Sequence, residues 1–328
     1  MSRIAPLRSF LANFARWRAL AAMLVCLRGI GFAESASKAT RSLDSVAVTL
    51  AEEGGAYYEQ IVRGAAQAAK AANPAVRFIA SSCRNQAALQ MHQIDEFVTN
   101  GCDLIVIQRC YSGDSSPAVQ RARAAGVIVV AVDADVPGGT DALVKPDEEQ
   151  GGKLAGEFAA QRLKGQGVVA IANGPATAEA LQSRVKGFLA ELARFPNIKV
   201  VADQDTKMSR AGVHDFMTKL LRDFPEVNLI YGVNDPVAYY CEAEALTAKR
   251  HDLIIVGMEG TPVSVKSMRS PQGLIQASPG EDPFAIAERA VTLGIAILCG
   301  EPRPTQPELL PFVRVTRDNV AEYQGWTK

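Results

Sequence analysis

From Asp44 onward, short β-branched runs alternate with helical patterns, and this alternation constrains the fold more than any other feature of the sequence. The strand-like runs are Ser45–Leu50, Val76–Ala80, Leu104–Ile107, Val127–Val132, Val168–Ala172, Lys199–Ala202, Leu229–Tyr231, Leu253–Val256 and Leu274–Gln276. Helical patterns occupy Tyr57–Ala72, Gln86–Asn100, Pro117–Ala125, Glu148–Leu163, Ala178–Phe195, Arg210–Phe224, Pro236–Ala248, Pro262–Arg269 and Pro283–Cys299. Such alternation predicts an α/β fold of parallel sheets with helices on both faces. The strands are apolar without interruption, as strands buried on both sides must be. Pro74 ends the first helix, and Gly101 and Gly126 stand where a helix stops and a strand begins. Pro236, Pro262 and Pro283 suit first-turn helix positions, with Asp235, Thr261 and Asp282 as their N-caps.

One sheet cannot comfortably hold so many strands. A chain of 328 residues is long enough for two lobes, each with its own core. The first break is expected near Lys145–Pro146, ahead of the helix from Glu148. Doubly wound sheets place ligands at the carboxyl ends of their strands. Two such lobes facing each other make a cleft suited to a small molecule.

The first 33 residues differ in kind. Arg3, Arg8, Arg16 and Arg18 form a basic stretch, Ala19 to Leu27 an apolar run, and Gly31-Phe32-Ala33 a small-residue cleavage site. This is the layout of a secretory signal peptide, and the run is too short to span a bilayer. The mature chain is expected to start near Glu34, in the periplasm. The whole chain has 35 Lys+Arg and 35 Asp+Glu, and residues 1–33 hold five Arg and no acid. The remainder therefore carries 30 basic and 35 acidic residues, a net of −5. That balance argues against nucleic acid as a partner. Five cysteines remain: Cys83, Cys102, Cys110, Cys241 and Cys299. No CxxC pair or Cys/His cluster has metal spacing, so no metal and no cofactor is expected. Cys83 and Cys110 each follow a strand, and either a disulfide between them or two free buried thiols fits the sequence.

Four segments carry a resemblance. They are Pro146-Asp147-Glu148-Glu149-Gln150-Gly151-Gly152-Lys153-Leu154-Ala155-Gly156-Glu157, Arg184-Val185-Lys186-Gly187-Phe188, Asn234-Asp235 and Val256-Gly257-Met258-Glu259-Gly260-Thr261-Pro262. Each is weak alone. In this order and spacing, behind an export signal, the chain resembles the periplasmic binding proteins of the ribose and galactose type, from about Asp44 to Arg314. The resemblance implies two doubly wound parallel-sheet lobes joined by three crossings, near Pro146, Pro279 and Pro307. The first lobe would hold residues 44–146 and about 280–307, the second 147–279 and about 308–328. It also implies a monomer that closes by hinge bending around a small ligand and docks on the permease of an ABC transporter.

The resemblance assigns candidate ligand-binding positions residue by residue. Tyr57 and Tyr58 take the place of an aromatic pair whose rings offer an apolar face to sugar C–H groups. Gln108 occupies an amide position, with Arg109 beside it. Asp133 takes the place of a carboxylate that accepts from two hydroxyls at once. An Arg common at the next position is Ala134 here, and Asp135 adds a second carboxylate. A second family Arg falls on Gln182, and Arg184 fits a position whose structural role is the stronger. The aromatic facing the first pair falls on Met208. Asn234 and Asp235 match a family pair, Asp235 serving equally well as a helix cap. Glu259 replaces an Asp, and Ser278 stands where a Gln would be. Two Arg positions are thus lost while Asp133, Asp135, Asp235 and Glu259 crowd the cleft. Buried carboxylates need partners, which favours a neutral sugar or polyol, or a ligand bearing an amine, over a sugar acid.

Rival functions leave fewer traces. The sequence has no GxSxG elbow, no GxGxxG opening a helix, no GxxxxGK[ST] loop and no HExxH, so an enzyme is not expected. A regulator sharing this fold needs a helix-turn-helix head, and the export signal occupies its place. An exported receptor that presents its bound ligand to a histidine kinase or chemoreceptor would have the same sequence features and stands as the alternative.

Overall fold

A computed structural model describes residues 41–327. The leader expected over residues 1–33 lies outside them. The first lobe is laid down as β1 (Ser45–Leu50), α1 (Gly55–Ala72), β2 (Arg77–Ser82), α2 (Ala87–Thr99), β3 (Leu104–Ile107), α3 (Ser116–Ala124), β4 (Ile128–Val132) and β5 (Ala142–Pro146). The second follows as α4 (Glu148–Arg162), β6 (Gln166–Asn173), α5 (Glu179–Leu192), β7 (Asn197–Asp205), α6 (Arg210–Asp223), β8 (Leu229–Gly232), α7 (Asp235–Thr247), β9 (Ile254–Val256), α8 (Pro262–Arg269) and β10 (Ile275–Ala277). The chain then returns through α9 (Pro283–Leu298) and β11 (Glu308–Leu310). Two parallel sheets result, ordered β11-β5-β4-β3-β1-β2 and β10-β9-β8-β6-β7.

The uninterrupted apolar strands serve two cores at once, because successive side chains leave opposite faces of a sheet. Val46, Val48, Val106, Val130 and Val132 meet Ile61, Ala65, Ile286 and Val291 of α1 and α9. The alternate positions Ala47, Ile105, Ile107, Val129 and Ala131 meet Ile94, Phe97 and Val119 of α2 and α3. The second lobe repeats the plan. Val169, Ile171, Tyr231 and Val256 pack with Phe188 beneath α4 and α5, and Ala170, Ala172, Ile230 and Ile255 with Phe216 and Val237 of α6 and α7.

Two strands escape sequence reading, β5 and β11. Both flank the crossings, β11 is three residues long at the sheet edge, and β5 carries Lys145 and Pro146, which disguise it. Their pairing moves the third crossing. It follows Leu310 rather than Pro307, because Glu308–Leu310 still belongs to the first sheet. The crossings brace one another: Asp147 N–H donates to the Leu310 carbonyl (2.8 Å), and Gly280 and Val313 exchange a pair of hydrogen bonds at 2.8 Å. Beyond the third crossing Val315 and Val320 enter the second lobe's core, while Trp326 returns to the first lobe, edge-on to Tyr57.

The cap of α7 also differs from expectation. Asn234, not Asp235, accepts the Val237 N–H (3.0 Å), which leaves Asp235 free for another task.

Helices α4 and α5 touch backbone to backbone. A Cβ at Gly152 would overlap the Arg184 carbonyl, and one at Gly187 the Glu149 carbonyl. The glycines of the GG and GF motifs are therefore contact points that seat Glu148 against Arg184. Gly187→Ala is expected to cost about 1–3 kcal/mol by forcing the helices apart, measured as a lower urea midpoint. An unchanged midpoint would show that the helices yield freely. Cys83, Cys102, Cys110 and Cys241 are buried, Cys299 is exposed, and all five are free thiols. Among the described residues no helix is long and apolar enough to cross a membrane, and no cluster of His, Cys, Asp or Glu could hold a metal ion.

Candidate functional site

The first lobe contributes a connected group at the carboxyl ends of its strands. Asp133 directly follows β4 with a left-handed backbone (φ 66°), which directs it away from the strand. One of its oxygens accepts from the Tyr57 hydroxyl and the other from Gln108 Nε2 at 2.7 Å. Gln108 is anchored in turn, its Oε1 accepting from the Ala51 N–H (3.2 Å). Burial raises the Asp133 carboxyl above the ordinary carboxylate range, more than these two bonds lower it. Burial likewise raises the Tyr57 phenol, helped by Asp133. Tyr58 is half-buried and packs onto the core under α1. Tyr111, on the β3–α3 loop, is 58% exposed, and its hydroxyl lies 3.3 Å from Gln108 Nε2.

The second lobe is organised by Arg184 of α5, only 4% exposed. Its guanidinium makes a fork to Glu148 (Nε 2.6 Å, Nη2 3.2 Å), and Nη1 reaches Glu259 (2.8 Å) and the Val233 carbonyl (3.2 Å). The group lies 5.9 Å from the Phe312 ring centroid. Burial alone would weaken its proton affinity, but the Glu148 and Glu259 carboxylates outweigh that and hold it firmly charged. Glu259 has φ 101° and is pinned against the second crossing, its N–H donating to the Pro279 carbonyl (2.7 Å). Burial, partly countered by Arg184, pushes its carboxyl up to about 7.

Several sequence candidates build the frame. Asp235 is fully buried and accepts from Ser278 Oγ (2.6 Å), Thr261 N–H (2.7 Å) and Thr261 Oγ1 (2.8 Å). Ser278, also fully buried, accepts from the Gly260 N–H (2.9 Å). The pair ties the β9–α8 turn to the second crossing. Asp135 fastens its own loop, accepting from Val136 N–H and Thr140 Oγ1, both at 2.8 Å. Gln182 closes the β6–α5 loop onto Asn173, Gly174 and Pro175. Asn234 caps α7 and approaches Met208 Sδ (3.8 Å), and Met208 is 41% exposed on a left-handed turn (φ 47°).

Two acids of this site have no counterpart among the sequence candidates. Glu148 lies in the first of the four family-like segments, where nothing in the sequence singles it out. Glu281 lies in the second crossing, a segment without periodicity. It is 7% exposed, and the charged groups acting most strongly on it are Glu259, Arg184, Glu148 and Asp133, drawn from both lobes. Burial, then Glu259, raises its carboxyl well above the ordinary range. Arg109 sits beside Tyr111 and pairs with none of these acids.

Two doubly wound lobes, three braced crossings and a polar cluster fed by both lobes define an interlobe solute-binding protein. The chain belongs to the periplasmic binding protein domain family, whose model matches residues 46–302. Relatives include the ribose import binding protein of Bacillus subtilis (strain 168), 26% identical over 69% of this chain and 73% of that protein. The xylitol-binding protein of Mycolicibacterium smegmatis is 26% identical over 77% of this chain and 71% of its own. An ABC transporter solute-binding protein from Burkholderia graminis C4D1M, solved in complex with D-arabinose, superposes with a TM-score of 0.72 at 26% identity, covering 85% of this chain and 97% of that one.

Proposed function

We propose that this protein captures a sugar or polyol between its lobes in the periplasm and delivers it to the permease of an ABC transporter. The observation that carries the reading is the Tyr57–Asp133–Gln108 group of the first lobe standing among charges of the second: Glu148 and Arg184 both act on Asp133. Ribose, xylitol and arabinose relatives support the ligand class. Asp133 accepts a pair of ligand hydroxyls, Gln108 and Tyr57 orient it, and the Tyr57 ring, backed by Trp326, covers one sugar face. Asn234, Met208 and Glu259 meet the ligand from the second lobe, and Tyr58 and Tyr111 border the entrance. Closure about the braced crossings excludes water and presents both lobes to the permease. No bond of the ligand is made or broken, so the bound compound is released unchanged.

Thermal unfolding against pentoses, hexoses, polyols and amino sugars tests this. A ligand at 100 times its Kd adds about 2.7 kcal/mol of stability. Asp133→Ala is expected to weaken binding about 100-fold, the loss of charge-assisted bonds worth about 1.5–3 kcal/mol each. A folded protein indifferent to the whole panel would overturn the reading.

A further inference from the structure

The cleft has a charge imbalance that a neutral ligand leaves unresolved. Four acids act on one another's charge there: Asp133 from the first lobe, Glu148 and Glu259 from the second, and Glu281 from the second crossing. Among the described residues the cation paired with them is Arg184, and four of its five N–H donors are taken by Glu148, Glu259 and the Val233 carbonyl. Arg184 therefore offers little to an anionic ligand. Arg109, whose buried Nε has no partner among the described residues, acts on Tyr111 at the first lobe's end of this group.

Glu281 is where the imbalance is sharpest. It is 93% buried (7% exposed), yet among the described residues its carboxylate has no hydrogen bond and no ion pair, whereas Asp133 has Tyr57 and Gln108, and Glu148 and Glu259 have Arg184. Its main chain is held on both sides. Its N–H donates to the Glu259 carbonyl (3.1 Å), and its own carbonyl accepts from Trp326 Nε1 (3.2 Å) and the Tyr323 hydroxyl (3.4 Å). Backbone and tail thus fix an unpartnered acid between the lobes. Buried carboxylates are retained unpaired only at a cost in stability, unless a ligand supplies the partner.

We propose that the ligand carries a protonated amine, placed between Glu281 and Asp133, with its hydroxyls on Gln108 and Glu259: an amino sugar or aminated polyol. The proposal rests on the capture function above and narrows its ligand class. The groups facing Glu281 are Glu259 from the β9–α8 turn, Arg184 from α5, Glu148 from α4, Asp133 from the β4–β5 loop, Tyr57 from α1 and Tyr323 from the tail. Only Arg184 among them is cationic. An arriving ammonium displaces protons from the raised carboxyls, so affinity for the amine rises with pH. A neutral ligand that accepts a bond from a protonated Glu281 shows the opposite trend.

The test is calorimetric titration of the protein at pH 6, 7 and 8 with matched pairs: xylitol and 1-amino-1-deoxyxylitol, sorbitol and glucamine, glucose and glucosamine. The expected result is that in at least one pair the amine binds about tenfold tighter or more at pH 7, tightening further toward pH 8. In Glu281→Gln that preference falls at least tenfold. Equal or tighter binding of the neutral member in every pair, or an amine preference that survives in Glu281→Gln, overturns the proposal while leaving sugar capture intact. Binding of neither member of any pair overturns both.

Discussion

Arg184→Met is expected to destabilise the empty protein by about 3–5 kcal/mol, the usual cost of stripping one partner from a buried ion cluster. The substitution keeps much of the aliphatic volume while removing the guanidinium that lies over Phe312, so the loss is largely electrostatic. Glu148 and Glu259 would remain buried, facing each other and Glu281 without a cation. Urea unfolding at pH 8 measures the effect. Replacing both acids as well, in Arg184→Met/Glu148→Gln/Glu259→Gln, is expected to recover most of the loss, because the three groups act as a unit. A single Met variant as stable as the parent would show that the cluster is held together by packing alone.

The empty protein is also expected to lose stability as pH rises from about 5 to 8. Glu259 holds its proton up to about 7, while the unfolded chain releases it at the ordinary glutamate value. In that window the folded state binds more protons than the unfolded state, so stability falls with rising pH. Glu281 and Asp133, raised by the same burial, act in the same direction. The rise to about 7 alone corresponds to roughly 3 kcal/mol. Exposed acids such as Asp223 and Asp252, held low by neighbouring arginines, titrate below this window. Urea midpoints at pH 5, 6, 7 and 8 give the profile. Glu281→Gln should flatten it and be more stable than the parent at pH 8. A parent protein most stable at pH 8, with Glu281→Gln tracing the same curve, contradicts the charge reading of the cleft.

Much of this architecture is legible in the residues, for a physical reason. Strands buried on both faces must be apolar throughout, and helices between them must carry period-3.6 faces, so the β-α order and the two lobes can be read directly. The edge strand β11 obeys neither constraint strongly, and the inner strand β5 is disguised by Lys145 and Pro146, so neither stands out in the sequence and the last crossing reads too early. The site was partly readable. An excess of acid over arginine in the cleft follows from the sequence, but its membership does not. Asp135 is spent on Thr140 and Asp235 on Thr261 and Ser278, local hydrogen bonds that no spacing rule announces. Glu148 and Glu281 supply the charge in their stead. Glu281 in particular sits in a crossing whose position is set by the packing of two separate lobes, information distributed over the whole chain.

The most direct test of the central claim is isothermal titration of the purified protein with the sugar, polyol and amino-sugar panel, repeated with Asp133→Ala. Binding of one molecule per chain, weakened about 100-fold in Asp133→Ala without loss of folding, is the predicted result. Binding that survives Asp133→Ala undiminished, or a well-folded protein that takes up no member of the panel, would contradict capture between the lobes.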